Sequence, residues 1–173
     1  MKFNYGDTLR IRNELYTILG KIRYIDTHRR IWYKYKLVKH KNNAEFWISW
    51  NEKHGVYQFT KLCGKVIPFD MNVVHRSYQM AIGTRGDIDT DIDIGAFSRY
   101  EEYEDINGTH ILTIEKRVHT TEYFKGVYVD KKYVLLESNA EITKAILDKM
   151  DTVKKVRFIG PIIWFLANFF KNK

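Results

Sequence analysis

Asp87, Asp89, Asp91 and Asp93 place carboxylates at alternate positions along one short stretch. Alternating carboxylates open an EF-hand calcium loop, which also needs glycine at its sixth position and a bidentate glutamate at its twelfth. Ile92 and Ser98 stand there instead, so that loop fails. The period of two predicts a strand with the aspartates in solvent and Ile88, Ile92 and Ile94 turned inward. The four aspartates then form an acidic surface, to which Glu102 and Glu104 add. Neighbouring strand residues point to opposite faces, so Glu101 and Glu102 diverge, while Glu102 and Glu104 share a face and can converge for acid–base chemistry. The six histidines show no metal-ligating spacing, and Cys63 is the single cysteine, read as a buried structural thiol. Gly83-Thr84-Arg85-Gly86 is too short for a phosphate loop, lacks its lysine, and reads as a turn. No catalytic, cofactor-binding or metal residue is assigned.

The elements that would carry these side chains are mostly strands. Leu15–Leu19 and Ile22–Ile25 are rich in β-branched and aromatic residues, with Gly20 marking a bend or bulge between them. Asp26–Arg30 reads as a turn. Over residues 31–38 the alternation predicts Ile31, Tyr33, Tyr35 and Leu37 in the core, with Lys34 and Lys36 in solvent. Asn42-Asn43, His54-Gly55 and Asn107-Gly108 are turn signals separating further strands, among them those carrying Ile48 and Ile114. Such short connections force antiparallel pairing. The predicted fold is mainly β: two antiparallel meanders forming a sandwich or a partly open barrel, closed by C-terminal α-helices. The β-domain runs over residues 1–137, and two similar halves, 6–65 and 83–136, are a reading left open. Residues 138–173 form the helical segment, beginning at the capping arrangement Ser138-Asn139-Ala140-Glu141.

Charge is divided along the chain. Residues 1–65 hold 14 Lys and Arg against 5 Asp and Glu, whereas residues 86–106 hold 8 acidic residues and only Arg99. A uniformly basic nucleic-acid binder would not carry that acidic block. Tyrosines and tryptophans interleaved with Lys34, Lys36, Lys39 and Lys41 still suggest a basic aromatic face, so nucleic-acid binding stays open as an alternative. The last stretch carries Phe158, Trp164, Phe165, Phe169 and Phe170 in an apolar run of 13 residues, too short to span a bilayer. With basic residues on both sides it reads as an association tail for self-association, a protein partner or an anionic membrane surface. Met1–Asp7 lacks the apolar region of a signal peptide, which predicts a cytoplasmic protein, or one peripheral to the inner membrane face.

The stretch from Tyr100-Glu101-Glu102-Tyr103 to Ile114-Glu115 resembles the bacterial family catalogued as domain of unknown function 4178. Thr121-Glu122-Tyr123-Phe124-Lys125-Gly126, Tyr16–Ile22 and Phe46-Trp47-Ile48-Ser49-Trp50 resemble it too. The resemblance spans roughly residues 6–136 and implies an accessory role linked to membrane stress, without catalytic residues. Lys34 in Trp32-Tyr33-Lys34-Tyr35 stands where the family tends to carry an acid, which counts against an acidic site shared by both halves. The function expected from the sequence is a non-enzymatic interaction module, with an enzyme built on a dispersed site as a further alternative.

Overall fold

A computed structural model describes residues 3–88, 92 and 94–137. The strands are β1 (Thr8–Ile11), β2 (Glu14–Asp26), β3 (Ile31–Lys39), β4 (Glu45–Asn51), β5 (Val56–Cys63), β6 (Met71–Gly86), β7 (Phe97–Asp105), β8 (His110–Lys116), β9 (Thr121–Asp130) and β10 (Val134–Glu137). One turn of 3₁₀-helix, Lys131–Tyr133, links the last two, and the described residues contain no α-helix. The expected C-terminal helices and the tail residues Phe158, Trp164, Phe165, Phe169 and Phe170 lie outside the described residues.

The strands form one antiparallel sheet in the order β10-β1-β2-β3-β4-β5-β9-β8-β7-β6, and β6 returns to pair with β2. That pairing closes eight strands, β2 to β9, into a barrel, so the architecture is neither a sandwich nor an open barrel. Closure gives the Gln79–Gly86 half of β6 a partner in β2, in place of an edge open to aggregation, while Met71–Tyr78 pair with β7 alone. Residues 15–25, read as two strands, belong to the single strand β2, and Gly20 does sit at a register shift between Ile18 and Gly20. β2 thereby serves two partners on one edge: its first half pairs with β1, and its second half, from Gly20 to Asp26, pairs with β6. Gly83–Gly86 lies within β6 rather than in a turn. The described residues Asp87, Ile88, Ile92 and Ile94 lie outside any strand; Ile88 and Ile92 pack inward, but Ile94 is exposed.

Contacts between strands that are not sheet neighbours identify the barrel interior. Lys34 on β3 reaches Glu115 on β8, and Gln58 on β5 reaches Glu102 on β7. The Trp32 ring on β3 lies 6.2 Å from that of Tyr100 on β7. The inward face is therefore Trp32, Lys34 and Lys36 on β3, and the outward face is Tyr33, Tyr35 and Leu37. The outward face is nevertheless a core. Tyr35, Leu37 and Ile48 pack with Leu9, Ile11 and Val134 of β1 and β10, which cover the outside of this side of the barrel. A second outer cluster, Tyr103, Leu112 and Ile114, lies under Val66 and Met71 around the connection from β5 to β6.

Two layers of burial reverse the reading of β3. Lys34 is 6% exposed and Lys36 1%, so neither lies in solvent. Alternation separates two faces, but it does not say that the polar face is wet. Ile31, assigned to the core, is 48% exposed at the strand's start.

Candidate functional site

A closed barrel of eight strands has an interior just wide enough for side chains to fill, or to hold one small ligand. Here the filling is uneven. Ile22, Tyr24, Trp47, Ala81 and Phe124 form an apolar plug. Beside it lies a charge network: Lys34 bonds Glu115 and sits over the Phe124 ring, 3.3 Å from its centroid. Arg117 reaches Glu115 at 3.5 Å and Glu122 at 2.9 Å. Burial pushes the Lys34 ammonium below the ordinary lysine range, against the opposing pull of Glu115.

Toward the end of the barrel that carries the turns after β2 and β4, the filling stops. A cavity of about 420 Å³ opens there, within the range of small-molecule sites. Trp32, Ser49, Gln58, His75, Tyr100 and Glu102 line its inner part, and Asp26, Arg30, Asn51 and His54 stand at its rim. Tyr33, Tyr35, Trp50 and Tyr57, on the outward faces of β3, β4 and β5, border the same space, so six aromatic residues surround it besides the histidines. A pocket of about 20 Å³ shares Trp32, Gln58 and Glu102 with it and extends to Lys34 and Glu115.

Each inner side chain is placed by register. Glu102 on β7 faces His75 on β6 and Thr113 on β8, all pointing inward. Ser49 and Gln58 are paired across β4 and β5. The Ser49 hydroxyl donates to Gln58 Oε1 at 3.1 Å, which turns the amide so that Gln58 Nε2 donates to Glu102 Oε1 at 2.8 Å. Glu102 Oε2 has no hydrogen bond among the described residues. The His75 ring packs on Tyr100 with centroids 5.1 Å apart, and its Nε2 is buried without a partner. Trp32 stacks on Tyr24 at 4.7 Å, which fixes the indole as a wall. At the rim, Asp26 accepts from Arg30 Nε at 2.8 Å and from the amides of His28 and Arg30, so that the turn holds the Arg30 guanidinium.

Environment divides the carboxylates. Burial pushes Glu102 above the ordinary glutamate range; the Gln58 bond and His75 oppose the rise, and nearby Glu104 adds to it. Asp26 is pushed upward by desolvation too, but the hydrogen bonds from Arg30 and His28 outweigh it and leave the group lowered. Burial and a hydrogen bond to Glu104 raise the Tyr128 phenol, and His54 Nε2 lies 3.4 Å from Glu104 Oε1. Burial, with the charge of Glu102 next, raises Tyr100.

These placements revise the acidic surface. Glu102 and Glu104 do share a face, but it is the barrel interior and not a solvent-facing patch. Asp87 is half-buried beyond the end of β6, and Asp89, Asp91 and Asp93 lie outside the described residues. No group of three or more His, Cys, Asp or Glu among the described residues is arranged to hold a metal ion. Cys63 is half-buried, with its thiol donating to the Tyr123 carbonyl at 3.3 Å. Sequence reasoning missed Trp32, Gln58, His75 and Tyr100 as members of one site. A usable signal was present: Ser49, Gln58, Thr113 and Glu115 are polar residues flanked on the other face of their strands by Ile48, Trp50, Tyr57, Phe59, Leu112 and Ile114.

Glu102 makes a stability prediction. Its folded proton affinity is raised, so as pH climbs through about 4.3 the unfolded chain loses the proton first. Wild type therefore carries a penalty above that pH, and Glu102→Gln should melt higher than wild type at pH 7. The gain should vanish below about pH 4. Melting curves at several pH values check this; a lower melting temperature for the variant at pH 7 contradicts the assignment.

Fold and cavity together define a small antiparallel β-barrel with a mouth of ligand-binding size. Residues 4–131 match the family model described as domain of unknown function (DUF4178), and the chain belongs to that family. No curated protein and no solved structure matches the chain.

Proposed function

We propose that this chain is a non-enzymatic binding module that takes a small ligand into the mouth of its barrel. The observation that carries the reading is the 420 Å³ cavity, with aromatic walls and a single convergent polar chain, Ser49–Gln58–Glu102, on its inner side. Pockets of this composition bind by burying apolar ligand surface and orient the ligand with a few fixed polar groups. The side chains that set its polar floor are held by strands rather than loops, which favours a preformed site. Such a module suits the accessory role implied by the family resemblance. Lys34 and Lys36 are buried, which takes two cations away from the basic aromatic face that nucleic-acid binding would use.

Screening small aromatic fragments by thermal shift tests the reading. A ligand at a hundredfold excess over its Kd stabilises by about 2.7 kcal/mol. Binders should shift the melting temperature of wild type and quench tryptophan emission. They should lose both effects in Asn51→Trp, which fills the mouth from its rim. Binders that act equally on both proteins would place the ligand elsewhere and overturn the proposal.

A further inference from the structure

Asp26, Glu101 and Glu115, the buried carboxylates among the described residues, each hold a Lys or Arg, whereas Glu102, half-buried in the mouth, holds neither. Asp26 holds Arg30, with 2.7 Å between Nη2 and Oδ2. Glu101 holds Arg99 at 2.6 Å and Lys116 at 3.2 Å. Glu115 holds Lys34 and Arg117. Among the described residues Glu102 has no Lys or Arg partner, and its one hydrogen bond comes from the neutral amide of Gln58. A buried charge without an opposite charge is costly, so native structures pair it. The remaining Glu102 oxygen belongs to a residue lining the mouth cavity, as do Trp32 and Tyr100, whose rings lie 6.2 Å apart. The faces of aromatic rings are negative and attract cations, most strongly where water is excluded.

We infer that the mouth cavity binds a small organic cation, an amine or quaternary ammonium, whose charge is countered by the Glu102 carboxylate and whose apolar part lies against Trp32 and Tyr100. The inference rests on the cavity being a ligand site and adds the ligand's charge. The cations already in the lining do not fill the role. Arg30 is held by Asp26 at the rim, and Lys53 is exposed. His54 faces Glu104 and the His75 ring lies on Tyr100; both are near enough for their charge to act on Glu102, but neither lies within ion-pair distance of it. An anionic ligand would meet Glu102 with Glu104 close behind it. The cation supplies for Glu102 what Arg30 supplies for Asp26.

The test is calorimetric titration of the full chain with three probes of similar size: benzyltrimethylammonium, benzyl alcohol and 3-phenylpropionate. The cation should bind wild type at least tenfold more tightly than the alcohol, and the anion should not bind detectably. Glu102→Gln should bring the cation's affinity down to that of the alcohol while leaving the alcohol unchanged. Trp32→Leu should weaken both. If alcohol or anion binds as tightly as the cation, or if Glu102→Gln leaves the cation's affinity intact, the cation inference is wrong and the cavity survives as a neutral site. If no probe binds wild type, the inference and the cavity reading fail together. Melting temperatures at or above wild type for Glu102→Gln show that its loss of binding is not a loss of fold.

Discussion

Replacing Lys34 by Met is expected to destabilise the barrel by about 3–5 kcal/mol, the usual cost of removing one partner from a buried ion pair. The ammonium is fully enclosed, bonded to Glu115 and set over the Phe124 and Trp47 rings. Without it, Glu115 keeps among the described residues only Arg117, 3.5 Å away and shared with Glu122. Burying an under-compensated carboxylate is the larger part of the loss. Replacing both members, as Lys34→Met with Glu115→Leu, should recover most of it, since apolar residues of similar volume often substitute for a buried pair at no net cost. Urea unfolding of the two single variants and the double variant measures the coupling. A loss below about 0.5 kcal/mol for Lys34→Met would put this lysine in solvent, as simple strand alternation implies.

Gly86→Ala should rank next, with a loss of at least about 2 kcal/mol and local opening of the barrel. Gly86 has φ +82, where a side chain costs about 1–2 kcal/mol, and a Cβ there would lie 2.3 Å from the Leu19 carbonyl oxygen. Its register partner is Gly20, and a Cβ on Gly20 would meet the Asp87 carbonyl at 2.8 Å. The two glycines let β2 and β6 approach at the place where the barrel closes. Gly55→Ala is the control, because Gly55 has φ +65 with nothing near its missing Cβ. It bears the backbone strain alone, so the excess loss at Gly86 measures the close approach. Amide exchange should accelerate at Ile22–Tyr24 and Ala81–Thr84 in Gly86→Ala only. Equal losses in the two variants would show that the seam tolerates a methyl group.

Much of the fold was legible in local chemistry. Turn residues marked the hairpins at Asp26–Arg30, Asn42-Asn43, His54-Gly55 and Asn107-Gly108, and alternation placed Tyr35, Leu37, Ile48 and Ile114 in packed clusters. The family was legible as well, in motifs lying within the matched residues. What failed was long-range. β6 carries Asn72, His75, Arg76, Ser77 and Gln79 among its apolar residues, so it lacks a clean period, yet it is the strand that closes the barrel. Its order depends on pairing with β2 and β7, far away in sequence, and no local propensity encodes that. The site was hidden for the same reason. Glu102 and Glu104 were recognised as sharing a face, but whether that face looked outward or inward depended on closure. Lys34 was misplaced because its counter-ion stands 81 positions away. Gln58 and His75 carry no local signal of a shared site, because only the curvature of β5, β6 and β7 brings them around one space.

The most direct test of the account is to follow the indole N–H signals of Trp32, Trp50 and Trp47 by NMR while benzyltrimethylammonium is added. Trp32 and Trp50 line the mouth cavity, whereas Trp47 is sealed in the plug beside Lys34 and Phe124. The expected result is a saturable shift of the Trp32 and Trp50 signals and of backbone amides around Gln58 and Glu102, with Trp47 unmoved and saturation in Glu102→Gln moved to at least tenfold higher probe concentration. Shifts confined to the outer clusters around Leu37 and Leu112, or no shift at Trp32 at any probe concentration, would contradict the claim that this barrel holds its ligand at the mouth.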